Sequence, residues 1–193
     1  MILELPAFPF DSHQLEPYLS KAWVEERYQG DHQRHLAALN RWASDTDSAS
    51  RSLEDVISKA HGEVLEHALE AWNLTLFWHC LLPRPTAPEG RLNEDLTRAF
   101  GSFTGLREAM HERVEDETVK EETREGSRRP DWLWLLSTSR GLALTTSARG
   151  QRLGAASGTP LLVMDLGCGK SPVEQLWPLI HWDFVAQNLG DCH

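Results

Sequence analysis

Positive charge is in short supply in this chain: 19 Lys and Arg stand against 29 Asp and Glu, giving a formal net charge of -10 and a pI near 5.3. A protein that tracks a phosphate backbone needs a basic face, so nucleic acid is not an expected partner. Cysteine is scarce too. Cys80, Cys168 and Cys192 are an odd number that builds no disulfide framework. The start of the sequence shows neither a basic n-region nor an apolar h-region, and with the free thiols this predicts a reducing, cytoplasmic location. No run approaches the roughly 18 apolar residues of a membrane span, so no membrane partner is expected. Internal repeats and low-complexity tracts are also missing. What remains is ordinary globular usage, 40% hydrophobic and 25% charged. The 193 residues suffice for one good core or two small cooperating ones.

The chain divides at Pro83-Arg84-Pro85-Thr86-Ala87-Pro88, where the prolines can neither continue a helix nor join a central strand. The expected domains are 1–82, a helical hairpin, and 89–193, a mixed C-terminal domain. Before the linker, helices are predicted from about Ser20 to Ala43 and from Ser52 to Leu81. In the second, Val56, Ile57, Ala60, Val64 and Ala68 recur at three- and four-residue steps, and Ser52 with Asp55 forms a plausible capped start. After the linker, Leu92 to about Glu125 reads as two helices broken around Gly101 to Gly105. Short apolar runs at Trp132–Leu136, Leu142–Thr146 and Pro160–Met164 predict a small three-stranded antiparallel sheet, and Gln175–Leu189 reads as a closing helix. The fold class is therefore α+β.

Several segments carry a resemblance in sequence order. They are Leu5-Pro6-Ala7-Phe8-Pro9-Phe10, Leu39-Asn40, Ser52-Leu53-Glu54-Asp55, Ala71-Trp72-Asn73-Leu74-Thr75-Leu76-Phe77-Trp78, Ala99-Phe100-Gly101-Ser102-Phe103, Trp132-Leu133-Trp134, Thr159-Pro160-Leu161-Leu162-Val163-Met164-Asp165 and Trp182-Asp183-Phe184-Val185-Ala186-Gln187-Asn188. Together they resemble the iron/manganese superoxide dismutase family from Leu5 to Asn188. That resemblance implies a helical hairpin followed by a mixed helix and sheet domain, with one redox metal held by three histidines and one aspartate.

At those positions the chain departs from the family. The resemblance puts Arg27 and Leu74 at two of the histidines, Gly169 at the third, and keeps only Asp165. One carboxylate cannot hold a redox metal against water, because such sites need several preorganised donors. Neither a metal nor any other cofactor is therefore expected, and dismutase activity is predicted absent. Around the site, the family's gateway tyrosine falls on His35, a neighbouring histidine on Asp31, and a glutamine on Glu70. The vestigial pocket is Arg27, His35, Glu70, Leu74, Asp165 and Gly169. Arg27 is expected either to pair with Asp165, and with Glu70, in the vacated space, or to snorkel outward while Leu74 fills the hole.

Other signals are weaker. Leu161 to Ser171 resembles the glycine-rich motif of methyltransferases that use S-adenosylmethionine and, at its end, part of a phosphate loop. However, a phosphate loop requires Gly at Met164, and too few residues follow for a doubly wound sheet. A tight glycine turn is the expected structure. His32, His35, His79 and Cys80 match no compact zinc spacing. Cys168 beside Lys170 has either a lowered pKa or a merely structural role. Glu108 to Arg129 is dense in both charge signs and reads as a solvated helix face or a docking surface for a protein partner. Asp165 to Trp177 is shorter than is usual in the family, and Cys168 and Gly169 replace groups of its subunit contact, so the usual homodimer is in doubt.

The reading favoured by the sequence is a non-catalytic relative of the dismutases, an interaction or assembly subunit with a protein partner. The alternatives are an enzyme with repurposed acid/base chemistry at Glu70, His35 and Asp165, and a residual metal-binding superoxide dismutase.

Overall fold

In a computed structural model, residues 3–45, 52–122, 130–153 and 158–190 are described. A short 3-10 turn, Ser12–Leu15, leads into α1 (Lys21–Glu25), whose N-cap Ser20 accepts a hydrogen bond from the Trp23 N–H at 3.2 Å. The helix then widens into a π-helical stretch, Glu26–His32, and resumes as α2 (Gln33–Asp45). The serine start expected at Ser52 is present: its hydroxyl accepts from the Asp55 N–H at 3.2 Å, and Glu54 and Asp55 lie at the positive end of α3 (Leu53–Lys59).

The second predicted helix is not continuous. Ala60 turns to extended backbone and Gly62 takes a φ of 58°, so the chain breaks before α4 (Gly62–His79) begins. Periodicity carries across that break, which is why the sequence reads as one helix. α4 packs antiparallel on α2, with Leu36, Leu39, Ala68 and Ala71 buried in one cluster with Val56 of α3.

Beyond the proline-rich connection lie α5 (Gly90–Phe100) and α6 (Phe103–Glu122), divided at Gly101 as the sequence suggests. The strands β1 (Trp132–Thr138), β2 (Gly141–Ser147) and β3 (Thr159–Asp165) form an antiparallel sheet in the order β2-β1-β3. Because β3 runs antiparallel to β1, the glycine turn after Asp165 is not the loop of a parallel βαβ unit. The closing helix is also broken. α7 (Pro172–Leu176) passes through a 3-10 turn at Trp177–Leu179 before α8 (Trp182–Gly190), with Pro178 at the interruption.

The larger core joins both halves of the chain. Leu15, Leu74 and Phe77 pack with Trp132, Trp134 and Leu162 of the sheet and with Trp182 of α8. Backbone bonds from Leu82 N–H to Leu179 O at 2.7 Å and from His181 N–H to Cys80 O at 2.8 Å tie the end of α4 to the C-terminal segment. Phe103, Trp177 and Trp182 form an edge-to-face and tilted aromatic group. Among the described residues, no helix is long and apolar enough to cross a membrane.

Candidate functional site

Three elements converge where the resemblance locates the metal. The π-helical stretch supplies Arg27 and Asp31, α4 supplies Glu70 and Leu74, and β3 ends in Asp165 before a 3-10 turn at Leu166–Cys168. Helical spacing explains the pairs, since residues four apart share a face. A guanidinium dominates the centre. Arg27 Nε donates to Asp165 Oδ2 at 2.6 Å, with both side chains almost wholly buried, and Arg27 Nη1 donates to Asp31 Oδ2 at 2.7 Å. The same guanidinium lies over the Trp132 ring, 5.4 Å from its centroid. The outward, snorkelling arrangement is therefore not adopted.

Burial works against the charge of Arg27, but the carboxylates of Asp165 and Asp31 outweigh it and raise its pKa further. Asp31 responds in the opposite direction. Burial alone would push its pKa up, yet hydrogen bonds and charge from Arg27 and Arg34 hold it below its usual value; Arg34 Nη1 donates to Asp31 Oδ1 at 2.7 Å. Asp165 Oδ1 also accepts from the Gly167 N–H at 2.8 Å, which fixes the turn that follows β3. A cavity of about 100 Å³ remains beside this network, with Trp23 and Arg149 among its walls.

Glu70 does not pair with Arg27. Its Oε1 accepts from Trp132 Nε1 at 3.0 Å and from the Gly150 N–H at 3.0 Å, while Oε2 is buried without a partner among the described residues. Burial raises its pKa, and the two N–H groups only partly offset this. Leu74 is fully buried hydrocarbon four residues along the same helix. Gly169 offers no side chain, and the Gln175 amide occupies the place where a Cβ would project. These residues do not fit a resident iron or manganese: one carboxylate is already neutralised by a guanidinium, and the other positions carry hydrocarbon or nothing.

His35 lies apart from Asp165. Its Nδ1 is 2.8 Å from His67 Nδ1, a partner on α4 that the sequence reading missed. Spacing could have found it, because His67 precedes Glu70 by three residues on one helix face. Burial and His67, against the opposing charge of Asp31, lower the pKa of His35 to about 4. His32 is also lowered to about 4, by burial first, and its Nε2 faces Thr75 Oγ1 at 3.3 Å. His79 Nδ1 is 2.7 Å from Thr75 O, and Cys80 is wholly buried. Among the described residues, no group of three or more His, Cys, Asp or Glu could hold a metal ion. The lowered pKa considered for Cys168 is reversed: burial and then the nearby Asp165 charge push it up to about 12. In the charged run, α6 extends to Glu122, and 123–129 lie outside the described residues.

Comparison with known proteins agrees with the architecture. The sequence profile of iron/manganese superoxide dismutases, alpha-hairpin domain, matches residues 3–82. Over 200 residues the chain is 33% identical to the superoxide dismutase [Fe] of Photobacterium leiognathi, covering 97% of this chain and 98% of that protein. It is similarly 31% identical to the superoxide dismutase [Fe] of Escherichia coli K12 over 202 residues, covering 98% and 100%. The corresponding protein of Legionella pneumophila is 30% identical over the same length, with 98% and 100% covered.

Proposed function

Starting from the fact that this chain belongs to the iron/manganese superoxide dismutase family, we propose that it is a non-catalytic member whose metal has been replaced by an internal ion pair, and that it serves as an interaction or assembly subunit. One observation carries this reading: Arg27 Nε and Asp165 Oδ2 meet at 2.6 Å in a buried contact. A divalent or trivalent cation beside Asp165 would have to share its space with a fixed positive guanidinium, and like charges at that range repel. Arg27 thus does the structural part of the metal's work, which is to neutralise Asp165 and link the N-terminal helices to the end of β3. It cannot do the redox part.

The reuse of Glu70, His35 and Asp165 for acid/base chemistry gains no support from their surroundings. Asp165 is held by Arg27 and Gly167, His35 faces His67, and Glu70 is buried against Trp132 and Gly150. A protein partner is the more economical use of a scaffold that keeps its core, and the exposed acidic side chains of Glu108, Glu112 and Glu115 on α6 offer it a charged face. The reading is tested by elemental analysis of purified protein, a superoxide turnover assay and crosslinking in extracts of the native source. Expected are no stoichiometric iron or manganese, no turnover and a discrete crosslinked complex. Metal at one equivalent with turnover that chelation abolishes overturns the loss of catalysis; a protein that crosslinks to nothing overturns the assembly role.

A further inference from the structure

Outside the Arg27 site, two histidines meet across the helical hairpin. His35 lies in the first turn of α2 and His67 in the second turn of α4, and their Nδ1 atoms are 2.8 Å apart. The ring centroids are 5.1 Å apart, the nitrogen separation plus a ring radius at either end, so the two Nδ1 atoms point at each other. Two bare lone pairs repel at this distance, and so do two N–H groups. The contact therefore holds one hydrogen, donated by one ring and accepted by the other. Beside it, Leu36, Leu39, Ala68 and Ala71 of the same two helices share a buried apolar cluster.

We propose that His35 and His67 form a one-proton clasp between α2 and α4, which keeps its contact when it takes up a first proton and is forced open by a second. The surrounding groups set the order. Among the described residues, His67 Nε2 lies 3.7 Å from Glu63 Oε1 on α4, while Arg27, Asp31 and His32 of the π-helical stretch and Arg34 of α2 face His35. A first proton completes His67: its Nδ1–H donates to His35 and its Nε2–H turns to Glu63, so both N–H groups of the charged ring have an acceptor. His35 then carries its hydrogen on Nε2. A second proton has only His35 Nδ1 to occupy, where it confronts the His67 N–H and sets two positive rings in one contact. Burial first, and then His67, lower the pKa of His35 to about 4, although Asp31 opposes them. In the unfolded chain His35 charges near its ordinary value, about 6.5, so the hairpin loses stability as pH falls below that value and the clasp opens towards 4. None of this depends on whether the protein is catalytic.

Whole protein carrying nitrogen-15 in its histidines is followed by long-range proton–nitrogen spectra from about pH 7.5 to about pH 4. His67 is expected to become charged first, with His35 still neutral and the contact intact, and His35 last. As His35 charges, the backbone amides of α2 and α4 around the pair should exchange with solvent faster, while those of the sheet stay slow. In His67→Leu the competing charge is gone, and His35 should charge at a pH higher by about one unit. His35→Asn keeps an oxygen acceptor in place of Nδ1 but does not titrate, so its hairpin amides should stay protected where those of the parent begin to exchange. Charging of both rings at one pH, His35 charging before His67, or a His35 titration unmoved by His67→Leu overturns the clasp. Hairpin amides indifferent to the charge of His35, or sheet amides that open together with them, overturn a local switch. Uptake of one zinc or copper ion by the pair at neutral pH overturns it as well, since the rings then share a metal and not a proton. Should a variant fail to fold, the order of charging in the parent decides.

Discussion

Arg27 is the residue on which the candidate site turns. Removing one side of a buried ion pair leaves the other charge uncompensated, which costs about 3–5 kcal/mol, whereas removing both in favour of apolar groups can be nearly neutral. Arg27→Leu should therefore lower the melting temperature sharply, and Arg27→Leu with Asp165→Leu should recover part of the loss; equal melting of the single and double variants would contradict the pairing. Glu70 makes a second prediction, on pH. Its folded pKa is raised above the ordinary carboxylate value, so its contribution is full below the unfolded pKa and is lost as pH rises through the folded one. Denaturation of Glu70→Gln at pH 5 and pH 8 should show the variant gaining relative to the parent at the higher pH. His32 and His35, lowered to about 4, act in the opposite sense: their stabilising contribution is present above about 6.5 and is lost as pH falls towards 4. A parent protein whose stability is flat from pH 4 to 7 would contradict their burial as neutral rings.

At the scale of elements, the starts and breaks of helices carry separable energies. Ser52→Ala removes the acceptor for the Asp55 N–H and should cost about 1 kcal/mol in chemical denaturation. Gly105, in the first turn of α6, is more constrained. A Cβ there would collide with the Phe100 carbonyl oxygen at the end of α5, a backbone atom that cannot rotate away. Gly105→Ala should therefore destabilise by about 1–3 kcal/mol, the range for overpacking. An effect no larger than a few tenths would show that the α5–α6 corner relaxes freely. Sequence reading located this corner from Gly101 to Gly105. It missed the break between α3 and α4, because Ala60 and Val64 keep the helical period on both sides of it and only the backbone reveals that the two helices are separate.

For the whole molecule, association follows from the site. Cys168 and Gly169 stand where the family resemblance expects groups of the paired contact, and symmetric contacts lose each interaction twice. Light scattering of purified protein is expected to report a monomer or a mass other than the family-type dimer. A structure of a dimer pairing the Asp165–Ser171 turns across a two-fold axis would overturn that expectation. The retained core makes this compatible with folding: Trp132, Trp134, Leu162, Phe77 and Trp182 remain packed around the sheet, and such burial, rather than a single ion, carries most of a domain's stability.

By itself the sequence determined the architecture and the chemistry of individual positions. Short apolar runs and helical periods, the proline-rich divide and the tryptophan-rich segments specify which segments must be buried, and the identities of Leu74 and Gly169 settle what those positions can donate. Only the tertiary structure decided which charges meet. That Arg27 takes both Asp165 and Asp31 while lying over Trp132, that Glu70 turns instead to Trp132 and Gly150, and that His35 finds His67 depend on long-range placement. The physical reason is range: hydrophobic patterning is repeated along the chain and survives local errors, whereas an ion pair or hydrogen bond is decided within about an ångström by the packing of elements far apart in sequence.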